Sequence, residues 1–192
     1  MDADSKKQKQ QKKKGKQEKS TGRWAVQVFF IAVVLSAALS LASDQALDGA
    51  GLAVAFAVLL AFILLGIVFD IIGVAVTASD ENPFHSMAAR MTPGARAALN
   101  LIRKADKVSS FCNDVVGDIC GIISGSTGAV IVVQIQTAFG MPGMVISLAV
   151  TALTSGLTIG GKALGKSFAI AKSTAVLQLV GRLLHLFSRK KR

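Results

Sequence analysis

Apolar residues fall in four long runs along this chain, and most polar and charged residues lie between them or at the two ends. The first run, Trp24 to Ser43 (WAVQVFFIAVVLSAALSLAS), has about the 20 residues that an α-helix needs to cross roughly 30 Å of hydrocarbon. A short acidic link, SDQALDG, separates it from the second run, Gly51 to Ala78. That run is longer than one crossing requires and contains Asp70, so the helix is expected to tilt or to leave the bilayer near that residue. The third run extends from about 112 to 139 and is rich in Gly and Ser; FGMPG then makes a turn around Pro142 before the fourth run, from about 144 to 163. The pattern predicts an all-α integral membrane protein with four transmembrane helices and additional interfacial amphipathic helices.

Between the second and third runs the period changes. Asn82 before Pro83 and Thr92 before Pro93 each read as an N-cap followed by a first-turn proline. Phe84, Met87 and Met91, then Ala95, Leu99 and Ile102, recur at three- and four-residue spacing, which predicts two amphipathic helices lying at the membrane surface. From Lys166 the chain is amphipathic again: Gln178, Arg182, His185 and Arg189 share one face, and Phe168, Val176, Leu179, Leu183 and Phe187 the other. The organisation expected is a solvated, disordered Lys/Gln-rich tail at 1–22, a first helix and external link at 23–50, a membrane core at 51–165 with juxtamembrane helices at 80–107, and an amphipathic helix with a basic end at 166–192.

Charge sharpens this picture. The 192 residues are 52% hydrophobic with mean hydropathy +0.54, yet 22 Lys and Arg against 11 Asp and Glu leave a net charge of +11. Nine basic residues precede Trp24, five lie between Asp80 and Lys107, and eight follow from Lys162, which accounts for all 22. With four spans and both termini on one side, every cation falls on that side, which the positive-inside rule makes the cytoplasm. The expected location is therefore the cell membrane, multi-pass, with both termini cytoplasmic. Anionic lipid is the expected partner of the basic ends. The competing reading of residues 1–43 is a cleaved secretory signal, which would leave three spans; the charged segment is long for one.

These cations flank apolar runs instead of interleaving with recognition elements, so nucleic acid is not an expected partner. Two cysteines, Cys112 and Cys120, exclude a disulfide scaffold and read as small packing residues. His85 and His185 stand alone. Residues 160–167, GGKALGKS, match GxxxxGK[ST], but no strand precedes them and no α/β domain follows, so a nucleotide is not expected; Lys162 and Lys166 read as headgroup anchors. No nucleophile, base and orienting acid can be assembled, so an enzyme is not expected.

Candidate chemistry reduces to carboxylates in or near the apolar runs, which are costly there unless paired or solvated. Asp70, Asp114 and Asp118 share a depth, and with Asn113 they could line one cytoplasm-facing cavity; Thr77, Ser79, Ser109 and Ser110 are further oxygen donors. Hard divalent cations such as Mg2+ prefer such ligands. The plainer reading of Asp114 and Asp118 is that they begin the third helix, favoured by its dipole and capped by Ser109 or Ser110. Gly117, Gly121 and Gly125, with Gly156, Gly160, Gly161 and Gly165, form GxxxG steps that read as close packing of the third and fourth spans, or else as a dimer interface.

From residue 55 the order of parts resembles the transmembrane domain of the CNNM/CorC/CorB magnesium-transporter family. FDIIGVAVTA from Phe69 is similar to that family's Phe-Ser-x-Ser-Glu-Thr-Ala motif at Phe69 and Ala75, with Asp70 in place of a serine and Gly73 in place of the glutamate. NDVVG from Asn113 resembles Asn-Asn-Leu-Val-Asn, and GKALGKSFA from Gly161 resembles Gly-Glu-x-x-Pro-Lys-x-x-Ala, with Lys162 in place of the glutamate and Gly165 in place of the proline. The resemblance implies a homodimer that handles Mg2+ or Co2+ through a cytoplasm-facing acidic cavity at Asp70, Asn113, Asp114 and Asp118. The departures fall on the ionisable positions, so the alternative expectation is a non-transporting membrane adaptor, a degenerate transporter fold that binds anionic lipid and a membrane partner.

Overall fold

The computed structural model describes the backbone of residues 2–140 and 142–189 and the side chains of 24–140 and 142–186. Among the described residues every regular element is helical: α1 (Asp2–Leu47), α2 (Leu52–Ala78), α3 (Glu81–Ala89), α4 (Ala95–Ile102), α5 (Ala105–Ser110), a π-helical turn (Phe111–Gly117), α6 (Asp118–Phe139), α7 (Gly143–Ala171) and α8 (Ser173–Arg189). Four stretches are long and apolar enough to cross a membrane: Trp24–Leu47, Leu52–Ala78, Ala105–Phe139 and Gly143–Ala171. They match the four apolar runs and are compatible with a multi-pass membrane protein.

Residues Met1–Ala38 and Leu39–Arg192 form two compact units. The first lies within α1, whose helix includes the Lys/Gln run; Lys, Gln and Glu are good helix formers, so propensity does not oppose it. The exposed side chains of this unit include Val26, Phe29, Phe30 and Val34.

In the second unit α2 packs against both α6 and α7. It runs unbroken past Asp70, and at 1.5 Å per residue its 27 residues reach about 40 Å, more than a hydrocarbon layer of roughly 30 Å. Asp70 is thus inside the helix and not at its exit. At one end Ala55, Leu59, Ile63 and Ile131 form a small apolar core, and the Gln134 amide donates to the carbonyl of Ala50 at 3.0 Å. At the other end a second core joins α2, α3, α4, α7 and α8 through Ala75, Val76, Phe84, Ala98, Leu99, Ala169 and Leu177.

The short helices begin differently from the sequence expectation. Asp80 precedes α3, so Asn82 and Pro83 lie within its first turn, where a proline's missing N–H costs nothing. Gly94, at φ 86°, takes the position before α4, two residues beyond Thr92. Between them α3 closes with a Schellman arrangement: the Thr92 amide donates to Met87 and that of Met91 to Ala88. This puts Met91 in a left-handed conformation (φ 57°) with its side chain 78% exposed, so it leaves the apolar face that Phe84 and Met87 share.

The third apolar stretch also starts earlier than its composition suggests. Ser110 has helical torsions (φ −57°, ψ −43°) and caps nothing, because α5, the π turn and α6 run on without interruption. Asp114 and Asp118 are therefore interior helical positions. The N-terminal dipole and cap reading of these two acids does not apply.

Candidate functional site

Asp70 is 3% exposed, on the face of α2 turned toward α6 and α7. Two lysines one helical turn apart on α7 reach it: Lys162 Nζ lies 3.6 Å and Lys166 Nζ 3.9 Å from the same carboxylate oxygen, Oδ2. These separations are those of ion pairs, longer than direct hydrogen bonds. Lys162 is the deeper cation, with a side chain 24% exposed against 53% for Lys166. The lysines read from sequence as headgroup anchors instead point their ammonium groups at the buried acid.

Room for this arrangement comes from missing side chains. A Cβ on Gly117, in the π turn, would lie 3.2 Å from Asp70 Oδ1 and 3.4 Å from Lys162 Nζ. Gly161 and Gly165 seat α7 on α2, against Ile67 and Ile71. A Cβ on Gly66 would lie 3.2 Å from Cys120 Cβ, which places that cysteine in the helix packing, and Cys112 is likewise buried and free. A π turn adds a residue to a helix and turns the following side chains, a feature common at functional positions.

One turn along the same seam, Asn113 Oδ1 presses on Gly73 so closely that a Cβ there would collide with it. The Asn113 amide nitrogen donates to Ser109 Oγ at 3.3 Å, while Oδ1 is buried without a hydrogen-bond partner among the described residues. The four candidate ligands therefore separate. Asp70 and Asn113 face the α2 seam, and Asp114 and Asp118 are exposed on the outside of the helix. Among the described residues no three His, Cys, Asp or Glu side chains come together as a metal-holding group. Thr77 Oγ1 contacts its own helix carbonyls, including Val74 O at 3.0 Å, and Ser79 Oγ is buried without a hydrogen-bond partner among the described residues.

The remaining motifs resolve simply. GGKALGKS lies inside α7, where it forms helix and no loop to wrap a phosphate. His85 sits 3.2 Å from Glu81 on the exposed side of α3, and Arg103 lies 3.9 Å from the same carboxylate. The glycines divide: Gly117, Gly161 and Gly165 are in close contact, whereas Gly121, Gly125, Gly156 and Gly160 face open space. Gly161 and Gly165 thus make their close contacts with α2, and Gly143, the first residue of α7, makes one with Gln136 of α6. An open groove of about 310 Å3 runs between α6 and α7, lined by residues that include Gly121, Gly125, Thr151 and Ser155. A second, apolar groove of about 600 Å3 separates α7 from α2 near Phe56, Leu60, Leu153 and Leu157.

No family model matches this chain, and neither the curated proteins nor the solved structures include a significant match to it.

Proposed function

We propose that this chain is a multi-pass membrane protein that does not carry divalent cations, and acts instead as an adaptor in the bilayer. The observation that carries this reading is the pair of ammonium groups within 4 Å of Asp70 Oδ2. A lysine nitrogen beside a buried carboxylate stands where a mobile cation would stand, and two of them leave the cluster with one formal positive charge. The oxygens left on the seam, Asp70 Oδ1 and Asn113 Oδ1, are few for a hard divalent ion, which takes six or more oxygens including water. The adaptor reading uses the remaining surface: anionic lipid at the basic ends, and a helical partner, a second copy of the chain included, at the glycines that face open space.

A second reading, passage of Mg2+ or Co2+ with Asp70, Asn113, Asp114 and Asp118 as ligands, draws on one specific observation. Among the described residues, Asn113 Oδ1 is a buried acceptor with no donor, against Gly73 one turn along α2 from the only buried carboxylate. It requires Lys162 and Lys166 to withdraw from Asp70.

Reconstitution in liposomes with an entrapped Mg2+ indicator separates the two. The adaptor reading predicts no Mg2+ or Co2+ entry above protein-free vesicles, for the native chain and for Asp70→Asn alike. Saturable entry that Asp70→Asn abolishes would establish the transport reading in its place.

A further inference from the structure

We infer that α8 is an in-plane membrane anchor that recognises the phosphate-bearing headgroups of anionic phospholipid. The helix divides into three faces. Leu177 is 1% exposed in the core shared with α2 and α4, and Gly181 meets the backbone of Gly94 so closely that any side chain at either position would collide. This contact holds α8 to the bundle along one line.

Leu179, Leu183 and Leu186 lie at i, i+4 and i+7, one stripe on a different side of the helix, and are 60%, 48% and 62% exposed. Burying three leucines is worth roughly 2 kcal/mol each, so a stripe of this kind is unfavourable in water. On the remaining side are Gln178, Arg182 and His185; Arg182 and His185 are exposed, and so is Lys172 at the start of the helix.

Charge selects the occupant of the stripe. No Asp or Glu occurs after Asp118, so α7 and α8 carry cations alone, and α8 begins immediately after α7 ends at Ala171. A symmetric contact between two copies of α8 would bring Arg182 near its own equivalent with no acid on either helix to offset it. A bilayer surface of negative lipid satisfies both halves of the pattern: leucines enter the acyl boundary, and Lys172 and Arg182 meet phosphates. The inference rests on the adaptor reading's assignment of the long apolar helices to the bilayer and of anionic lipid to the basic ends, and gives the second of these its residues; it holds whether or not a cation passes Asp70.

The test uses the full chain with Trp24→Phe, reconstituted in vesicles of phosphatidylcholine and phosphatidylglycerol, with one tryptophan introduced at a time. Leu60→Trp in α2 serves as the control for bilayer insertion. Leu179→Trp, Leu183→Trp and Leu186→Trp are expected to be quenched by brominated acyl chains, and Gln178→Trp and Arg182→Trp by acrylamide. With Leu183→Trp, brominated phosphatidylglycerol should quench more than brominated phosphatidylcholine. The preference should fall by about fivefold for each cation removed in Lys172→Gln and Arg182→Gln.

Equal quenching by the two lipids, unchanged by the charge substitutions, would overturn the headgroup claim. Acrylamide quenching at all five α8 positions, with Leu60→Trp still lipid-quenched, would overturn the anchor alone. Protection of the leucine stripe from both quenchers would identify it as a protein contact and overturn the anchor equally. Loss of lipid quenching at Leu60→Trp would overturn the membrane assignment and the anchor with it.

Discussion

The two ends of α7 are made from similar small residues and are used in opposite ways. Near Lys162 and Lys166 the helix is pressed onto α2, with Gly161 and Gly165 against Ile67 and Ile71 and with Gly165 and Ala169 buried. Toward its start only Ile146 is buried, and the helix stands between two open grooves. The difference is a matter of charge. A buried carboxylate is tolerable only with a partner close by, so the Asp70 end must be tightly closed. The start of α7 carries no ionisable group, and there it meets its neighbours at fewer points, with Val150 against the small apolar core of α2 and α6 and Gly143 against Gln136.

The largest expected effect comes from breaking the charged end on one side only. Lys162→Met leaves buried Asp70 with the half-exposed Lys166 alone, and the cost should be about 3 kcal/mol of stability, measured by reversible denaturation in detergent. Gly117→Val comes next, because its side chain enters the space between Asp70 Oδ1 and Lys162 Nζ; overpacking of this kind costs roughly 1–3 kcal/mol in the same measurement. Gly165→Val belongs to the same group, against Ile71.

The smallest effect sharpens the contrast. Gly156→Ala and Gly160→Ala, where a Cβ meets nothing, should be neutral or stabilising by about 0.5–1 kcal/mol through helix propensity. A loss above about 1 kcal/mol at either position would show that this face of α7 is as closely packed as the face that meets α2. A labelling experiment makes the same distinction on α6: a maleimide in detergent should modify Ile122→Cys, whose native side chain is 67% exposed, well before buried Cys120.

Much of the fold was legible in the sequence, and the site was not. Four long, predominantly apolar runs are sufficient to place four long helices, since length and hydropathy are properties of a segment by itself. Asp70, Asp114 and Asp118 all fall within helical segments, as their place in the apolar runs implied. Rotation was not legible, because it depends on which face of each helix meets its neighbour. Asp114 and Asp118 turn outward while Asp70 turns inward, and a π turn, which has no compositional signature, contributes to that phase.

Lys162 and Lys166 were visible as the first cations at the end of the fourth run, yet a lysine there reads equally as a headgroup anchor or as the partner of a buried acid. Their four-residue spacing, matched to a single acid in the preceding core, was the available signal. Gly73 and Gly117 were likewise visible, but what a glycine makes room for is a property of the neighbouring helix.

The central claim, that the chain supplies its own cations to Asp70, is tested most directly by a double-mutant cycle on stability with Asp70→Asn, Lys162→Met and the two combined. The ion pair predicts that the combined variant loses less than the two single losses together, with a coupling of at least about 1.5 kcal/mol. Additivity within about 0.5 kcal/mol would show that Asp70 and Lys162 do not hold one another, and would contradict the claim.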